Sequence, residues 1–227
     1  SKVVLGLSGG IDSAVTAAVA AYALGPENVI GVSMPSRHSS DHSIADAEEL
    51  ASALGIEYQS RPIEDLHKVA EQTLEDELQS GHPIAAENLQ ARLRGMIVMG
   101  IANARGAMAL ATGNKSELAQ GYCTLYGDMV GGFAVLKDVP KTLVRELAKY
   151  RNNQAEVIPL STISREPTAE LSYGQRDSDN LPSYEVLDPI LEAYVEYDLT
   201  VSQMIGLGFP KSEIYQVIEL VDKSEYK

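Results

Sequence analysis

The chain opens on Val3-Val4-Leu5-Gly6-Leu7-Ser8-Gly9-Gly10-Ile11-Asp12-Ser13-Ala14. An apolar run of strand length, Val3–Leu7, ends in glycines. An alanine-rich stretch without Pro or Gly follows at Ser13–Leu24. Strand, tight turn and helix in that order begin a βαβ unit, which commits the strand to a parallel sheet covered on both faces.

The alternation continues. Strands are expected at Asn28–Met34, Ile56–Gln59, Ala107–Thr112 and Val157–Leu160. Helices are expected at Asp41–Leu54, with Ile44, Ala47, Ala51 and Leu54 on one face, and at Asp65–Leu78, Ile84–Ala104 and Lys141–Tyr150. The expected fold is α/β: a doubly wound parallel five-stranded sheet with helices on both faces and a helical C-terminal part. One domain of 227 residues is expected. Residues 1–163 form its α/β core and 164–184, "REPTAELSYGQRDSDNLPSY" from Arg165, a mobile loop at the ligand edge. Residues 185–227 carry helices at Tyr184–Glu196, Thr200–Leu207 and Lys211–Lys223. Ligands of such sheets lie beyond the carboxyl ends of the strands, at a switch point.

Composition narrows the function classes. A formal net charge of −14 repels a nucleic-acid backbone, so no nucleic-acid partner is expected, although one local pocket can still take a small nucleotide. No run of 18 apolar residues predicts a membrane span. The apolar opening has no basic n-region, so no secretory leader is expected. Cys123 is the single cysteine, which excludes an internal disulfide and a multi-cysteine zinc site and suits a cytoplasmic location.

The turn at Ser8–Ser13 has the makings of an anion site: backbone N–H groups, a helix start, and the hydroxyls of Ser8 and Ser13. It is not a Walker A loop, for Gly-Lys-Ser/Thr is absent, nor the dinucleotide G-x-G-x-x-G. It carries Asp12, a carboxylate where a phosphate would prefer a cation. Two readings stand. Asp12 complements the helix N-terminus, or it holds Mg²⁺ that bridges to a polyphosphate.

"SGGIDS" resembles the loop of enzymes that cleave ATP between its α and β phosphates. Glu87–Gly95 "ENLQARLRG", Ala111–Asp128 "ATGNKSELAQGYCTLYGD", Gly131–Leu147 "GGFAVLKDVPKTLVREL" and "REPTAEL" extend the likeness over nearly all 227 residues. Together they resemble the NAD synthetase family, and within it the synthetase domain of the glutamine-dependent type, with an adenine nucleotide alpha hydrolase-like fold. The resemblance implies ATP-dependent amidation of deamido-NAD through an adenylate, releasing pyrophosphate and AMP, with ammonia, free or from glutamine, as nitrogen donor. It also implies Mg²⁺, a homodimer through the apolar Ile84–Ala104 helix, and an N-terminal glutaminase domain that these residues do not contain.

Carried over by position, the pattern assigns Asp12, Glu117 and Lys141 to catalysis, with Asp12 and Glu117 on the metal. Leu7, Ser8, Gly9, Gly10, Ser13, Ser36, Arg37, Thr112, Lys141 and Thr168 fall to ATP. Asn88, Arg92, Glu117 and Lys227 fall to deamido-NAD; Asn88 and Arg92 are four apart on one helix face. The ammonia-dependent branch has a lysine and an aspartate around "YGDGG", where this chain has Leu125 and Gly132 or Phe133.

Other polar residues read as structural. His38 and His42 flank Asp41 without a clear third ligand and read as a solvated loop. His67 and His82 read as surface residues, Glu75-Asp76-Glu77 as a solvated face, and Arg94 as half of an ion pair. Met96 and Met99 read as core or dimer contact. Tyr122 and Tyr126 suit ring stacking or packing equally, and Lys115 a phosphate or an exposed helix face. Two rivals carry different functions. Another ATP pyrophosphatase is one, although a thiolase would need a cysteine pair. A non-catalytic nucleotide sensor is the other, with no use for carboxylates beside phosphates.

Overall fold

The computed structural model describes residues 1–174, 177 and 181–227. Its sheet contains β1 (Val3–Gly6), β2 (Val29–Ser33), β3 (Glu57–Ser60), β4 (Met108–Ala111) and β5 (Phe133–Ala134) in the order β3-β2-β1-β4-β5. Every pairing is parallel. The order reverses at β1, so the switch point lies between β1 and β4, above the glycine turn.

One face of the sheet carries α1 (Ile11–Leu24), α2 (Asp41–Leu54), α7 (Lys141–Gln154) and α8 (Leu160–Ser164), packed on a core of Leu5, Leu7, Val15, Leu50, Val144 and Ile158. Alanines at 14, 17, 18, 20 and 21 let α1 sit close to the strands. The other face carries α5 (Ile84–Arg105), which meets Val4, Ile30 and Val32 through Val98 and Ala102, with α3 (Glu64–Thr73) beside it. A second core joins α9 (Tyr184–Leu191), α10 (Val201–Gly206) and α11 (Lys211–Ser224) around Leu187, Ile190, Met204 and Ile214. Among the described residues no helix is long and apolar enough to cross a membrane.

Two expectations are corrected. Val157–Leu160 is not the fifth strand. The side chain of Asn152 takes up its backbone groups: Asn152 Oδ1 accepts from Val157 N and Ile158 N, and Asn152 Nδ2 donates to Ile158 O at 2.6 Å. Both N–H groups and the Ile158 carbonyl are thereby withdrawn from a ladder, and Pro159, which has no N–H, caps α8 instead. The fifth strand is Phe133–Ala134, paired with Leu110 and Ala111.

The helix expected over Asp65–Leu78 is divided into α3 and α4 (Glu75–Ser80). Leu74, at φ −113° and ψ 27°, leaves the helical region, and Thr73 Oγ1 donates back to Val69 O. The acidic run Glu75-Asp76-Glu77 then favours a new N-terminus.

The region foreseen as a mobile loop includes Gln175, Arg176, Ser178, Asp179 and Asn180, which lie outside the described residues.

Candidate functional site

The turn between β1 and α1 is closed by its two serines. Ser13 Oγ donates to Gly10 O at 2.9 Å, Ser8 N donates to Ser13 Oγ, and Gly10 N donates to Ser8 Oγ. Gly10 caps α1 in extended backbone with no side-chain cap bond. The first N–H groups of α1 keep their donors and, with the helix dipole, favour an anion.

Gly9 lies at φ +80°, and a Cβ there would stand 2.2 Å from the carbonyl oxygen of Ser43 in α2. Only glycine fits this approach. Gly9→Ala is expected to lower stability by about 2 kcal/mol or more, by left-handed strain plus overpacking. Urea unfolding checks it, and an unchanged midpoint contradicts the close packing.

Asp12, in the first turn of α1, meets residues from beyond β4. Lys141 Nζ donates to Asp12 Oδ2 at 2.5 Å and to Glu117 Oε1 at 2.9 Å, and Asn114 Nδ2 donates to Asp12 Oδ1 at 2.7 Å. Lys141 is only 2% exposed. A buried ammonium needs such compensation, and its Nζ also lies 5.5 Å from the centroid of the Tyr184 ring.

Two local devices hold this arrangement. Asn114 and Glu117 form a reciprocal capping box on α6 (Lys115–Ala119), which fixes both side chains. Buried Asp188 of α9 accepts from Ser116 Oγ and from Thr142 N, while Ser116 Oγ accepts from Lys141 N at 2.9 Å. The C-terminal helices thus fix the relative position of α6 and the start of α7.

The electrostatics leave a surplus of negative charge. Burial, then the Asp12 carboxylate, pushes Glu117 up to about 7 against the pull of Lys141. Burial opposes the Lys141 ammonium, but Asp12 and Glu117 outweigh it and hold it above the ordinary lysine range. Burial also raises Asp177, whose Oδ2 accepts from Tyr184 Oη at 2.7 Å. Among the described residues no cluster of three or more His, Cys, Asp or Glu is arranged to hold a metal. Asp12 and Glu117 are the carboxylates that could hold a cation here, and two carboxylates alone would leave it short of oxygen ligands.

Glu117 makes a pH prediction. Its folded pKa, about 7, lies above the ordinary 4.5. Its contribution to stability is therefore full below about pH 4.5 and falls as pH rises to about 7, at most about 1.4 kcal/mol per pH unit. Glu117→Gln is expected to flatten that slope in denaturant titrations from pH 5 to 7. An identical slope in the variant contradicts the assignment.

A cavity of about 350 Å³ joins these elements, and its lining includes the glycine turn as well as Tyr122, Cys123 and Lys227. Its lining gathers Leu7, Ser8, Gly9, Gly10, Asp12 and Ser13 with Thr112, Glu117, Lys141 and Thr168, and reaches Asn88 on α5.

A family profile for NAD synthase matches residues 1–227. The chain belongs to the NAD synthase family. The glutamine-dependent NAD(+) synthetase of Acinetobacter baylyi is 53% identical over 230 residues, covering all of this chain and 42% of that protein. A solved glutamine-dependent NAD+ synthetase from Acinetobacter baumannii, in complex with ADP, is 49% identical with a TM-score of 0.70; the match covers 99% of this chain and 41% of that one. NMN synthetase from Francisella tularensis superposes with a TM-score of 0.82 at 26% identity, over 99% of this chain and 85% of that one. The chain spans about two fifths of the length of the curated relatives it matches. Its sheet and flanking helices are those of the NAD synthase fold.

Three residues assigned by resemblance stand off the cavity wall. Arg37 pairs with Glu64 at 3.0 Å and Glu71 at 2.9 Å on α3. Ser36 turns into its own loop, where its hydroxyl accepts from His38 N; Pro35 and Ser39 line the cavity instead. Arg92 is exposed and donates through Nε to Leu125 O. It therefore does not share a ligand-facing surface with Asn88, which accepts from Thr124 Oγ1.

His67 is buried rather than superficial. It is 2% exposed, neither ring nitrogen has a hydrogen-bond partner among the described residues, and burial lowers its pKa. Arg94 forms no ion pair among the described residues. Its Nε donates to Met34 O at 3.0 Å, its side chain lines the cavity, and burial brings its pKa down to about 10. Lys115 is engaged by Asp138 and Glu196.

Sequence reasoning missed Asn114, Asp177 and Glu170. Asn114 had a signal, the N-x-x-E capping pattern. Glu170 lies in the "REPTAEL" motif, from which only Thr168 was assigned, and Asp177 sits in an aperiodic stretch that gave no signal.

Proposed function

We propose that this chain is the synthetase part of a glutamine-dependent NAD synthetase: an AMP-forming ligase that amidates deamido-NAD at the expense of ATP. The observation that carries the proposal is the convergence, in one cavity, of an anion-receptive turn with Asp12, Glu117 and the buried ammonium of Lys141. A bare nucleotide sensor has no use for that charge pattern, and a single cysteine does not serve a thiolase.

The chemistry has two steps. A nicotinate carboxylate oxygen bonds to the α-phosphorus of ATP as the bond to the β-phosphate oxygen breaks, and pyrophosphate leaves. Ammonia then bonds to the activated carbonyl carbon, the bond to the AMP oxygen breaks, and nitrogen gives up a proton. The α1 N-terminus with Ser8 and Ser13 receives the departing pyrophosphate. Lys141 offers a fixed cation to charge developing on the phosphates. Leu7, Gly9, Gly10, Thr112 and Thr168 shape the ATP side; Asn88 and Lys227 line the deamido-NAD side. Asp12 and Glu117 suit Mg²⁺, which takes one or two carboxylates plus phosphate oxygens. When bound, Mg²⁺ supplies Lewis-acid neutralisation of the triphosphate.

The nitrogen donor is ammonia, free or released from glutamine by an N-terminal glutaminase domain of the full protein, and the proposed location is the cytoplasm. Two copies pair through α5, which exposes Ile84 and Met96. Sedimentation at micromolar concentration is expected to give a dimer, and a monomer alone contradicts that pairing.

The activity test supplies ATP, Mg²⁺ and ammonia with deamido-NAD, with its mononucleotide counterpart, or with XMP. AMP, pyrophosphate and NAD in equal amounts from deamido-NAD are the expected result. Turnover of XMP or of the mononucleotide, but not of deamido-NAD, refutes the substrate assignment.

A further inference from the structure

Residues 165–171, which follow α8, line the cavity together with the phosphate turn and are tied to the neighbouring helices. Arg165 donates to Asp46 Oδ2 at 2.7 Å and to Ser43 Oγ at 3.2 Å, both on α2. Gln90 of α5, 2% exposed, donates through Nε2 to Leu171 O at 2.8 Å.

The densest tie is Glu170. Its Oε1 accepts from Ser40 Oγ at 2.9 Å and Ser43 Oγ at 2.8 Å, and its Oε2 accepts from Ser40 N at 3.2 Å. Ser40 is the N-cap of α2, so the carboxylate lies where the helix dipole favours negative charge.

Glu170 adopts φ +49°, in the left-handed region. A side chain with a Cβ enters that region at a cost of order 1–3 kcal/mol and persists only where its surroundings over-determine it. The three bonds to Ser40 and Ser43 supply that determination. The same segment of α2 supports the phosphate turn, since Ser43 is the residue against which Gly9 is pressed. Glu170 N also donates to Thr168 Oγ1 at 3.2 Å, so anchoring residue 170 fixes Thr168, which lines the cavity.

We infer that Glu170 is a positioning residue: its contact with the start of α2 holds the 165–171 strap in the cavity wall it shares with the phosphate turn and sets Thr168 for the nucleotide. The inference deepens the proposed ATP site and rests on it. The strap's position is read separately from turnover.

The test uses the full-length enzyme carrying E170Q, the pair S40A/S43A, or all three substitutions. Glu170→Gln keeps the shape but turns an amide toward donors. The serine pair leaves residue 170 untouched and guards against a folding defect peculiar to it. Each variant is expected to raise KM for ATP about tenfold or more while kcat at saturating ATP stays within twofold. The triple variant is expected to fall well short of the sum of E170Q and S40A/S43A, because both remove the Glu170–serine contact, although the serine pair also gives up the Ser40 cap of α2 and the Arg165–Ser43 bond.

With no substrate present, proteolytic cleavage within residues 165–184 is expected to be about tenfold faster in E170Q and in S40A/S43A than in the parent. That readout stands even if ATP or deamido-NAD proves to be the wrong substrate. Unchanged cleavage, a fall in kcat with KM unchanged, or additive effects in the triple variant would each overturn the inference.

Discussion

Replacing Lys141 with methionine is expected to reduce turnover by about 10³-fold or more and to destabilise the fold by about 3–5 kcal/mol. The size of the effect follows from what is left behind. Asp12 and Glu117 both spend an oxygen on Lys141 Nζ, and neither is fully hydrated. Without the ammonium two carboxylates face one another in a poorly solvated site, and Glu117, already raised by burial and by Asp12, takes up a proton more readily. The stability loss is therefore larger at pH 8 than at pH 5.5. Urea unfolding at the two pH values measures it, and equal losses would show that the lysine does not neutralise this pair. The backbone of residue 141 keeps its bond to Ser116 Oγ, so the start of α7 stays placed and the kinetic loss reports the missing cation.

Asp12→Asn is expected to lower turnover about 10²–10³-fold, to weaken Mg²⁺-dependent ATP binding, and to lower stability by about 1–3 kcal/mol. Size and shape are preserved, but one side-chain oxygen becomes an amide that cannot accept from both Asn114 and Lys141. This substitution separates the two readings of the residue. A carboxylate that only complements the α1 dipole is worth about 0.3–1 kcal/mol and its loss leaves turnover intact. A carboxylate that serves a metal takes catalysis with it. Titration of ATP with and without Mg²⁺ checks the prediction; unchanged turnover with a small loss of stability would favour the dipole reading.

The centre of the fold was legible because its signals are local. The apolar run at Val3–Leu7, the glycines after it and the alanines of α1 dictate a buried strand, a close turn and a tightly packed helix. The long motifs around Glu117 and Lys141 carried the family likeness over the whole chain. What escaped depends on side chains reaching across the structure. Val157–Leu160 has strand-like composition, yet Asn152 five and six residues earlier satisfies its backbone. The real fifth strand is two residues long, below any periodicity.

The site divided the same way. The resemblance named Asp12, Glu117 and Lys141, and the fold brings them together. It also named Arg37 and Arg92, which the fold directs to Glu64, Glu71 and the Leu125 carbonyl. Chemistry suited to phosphate is equally suited to a carboxylate on a neighbouring helix, and spacing along the chain does not tell the two apart. Burial was misread for His67 and pairing for Arg94, because both depend on the packing of α3 and α5 against the sheet.

The central claim is that a metal-bound triphosphate is held at the turn between β1 and α1, with Asp12 on the metal. The most direct measurement is a crystal grown with Mn²⁺ and an ATP analogue that resists cleavage between its α and β phosphates, read by anomalous scattering. The account predicts a manganese peak at the Asp12 carboxylate with the β and γ phosphates against the N–H groups of Ser8–Ser13. A manganese peak away from Asp12, with the phosphates seated elsewhere in the cavity, would contradict it.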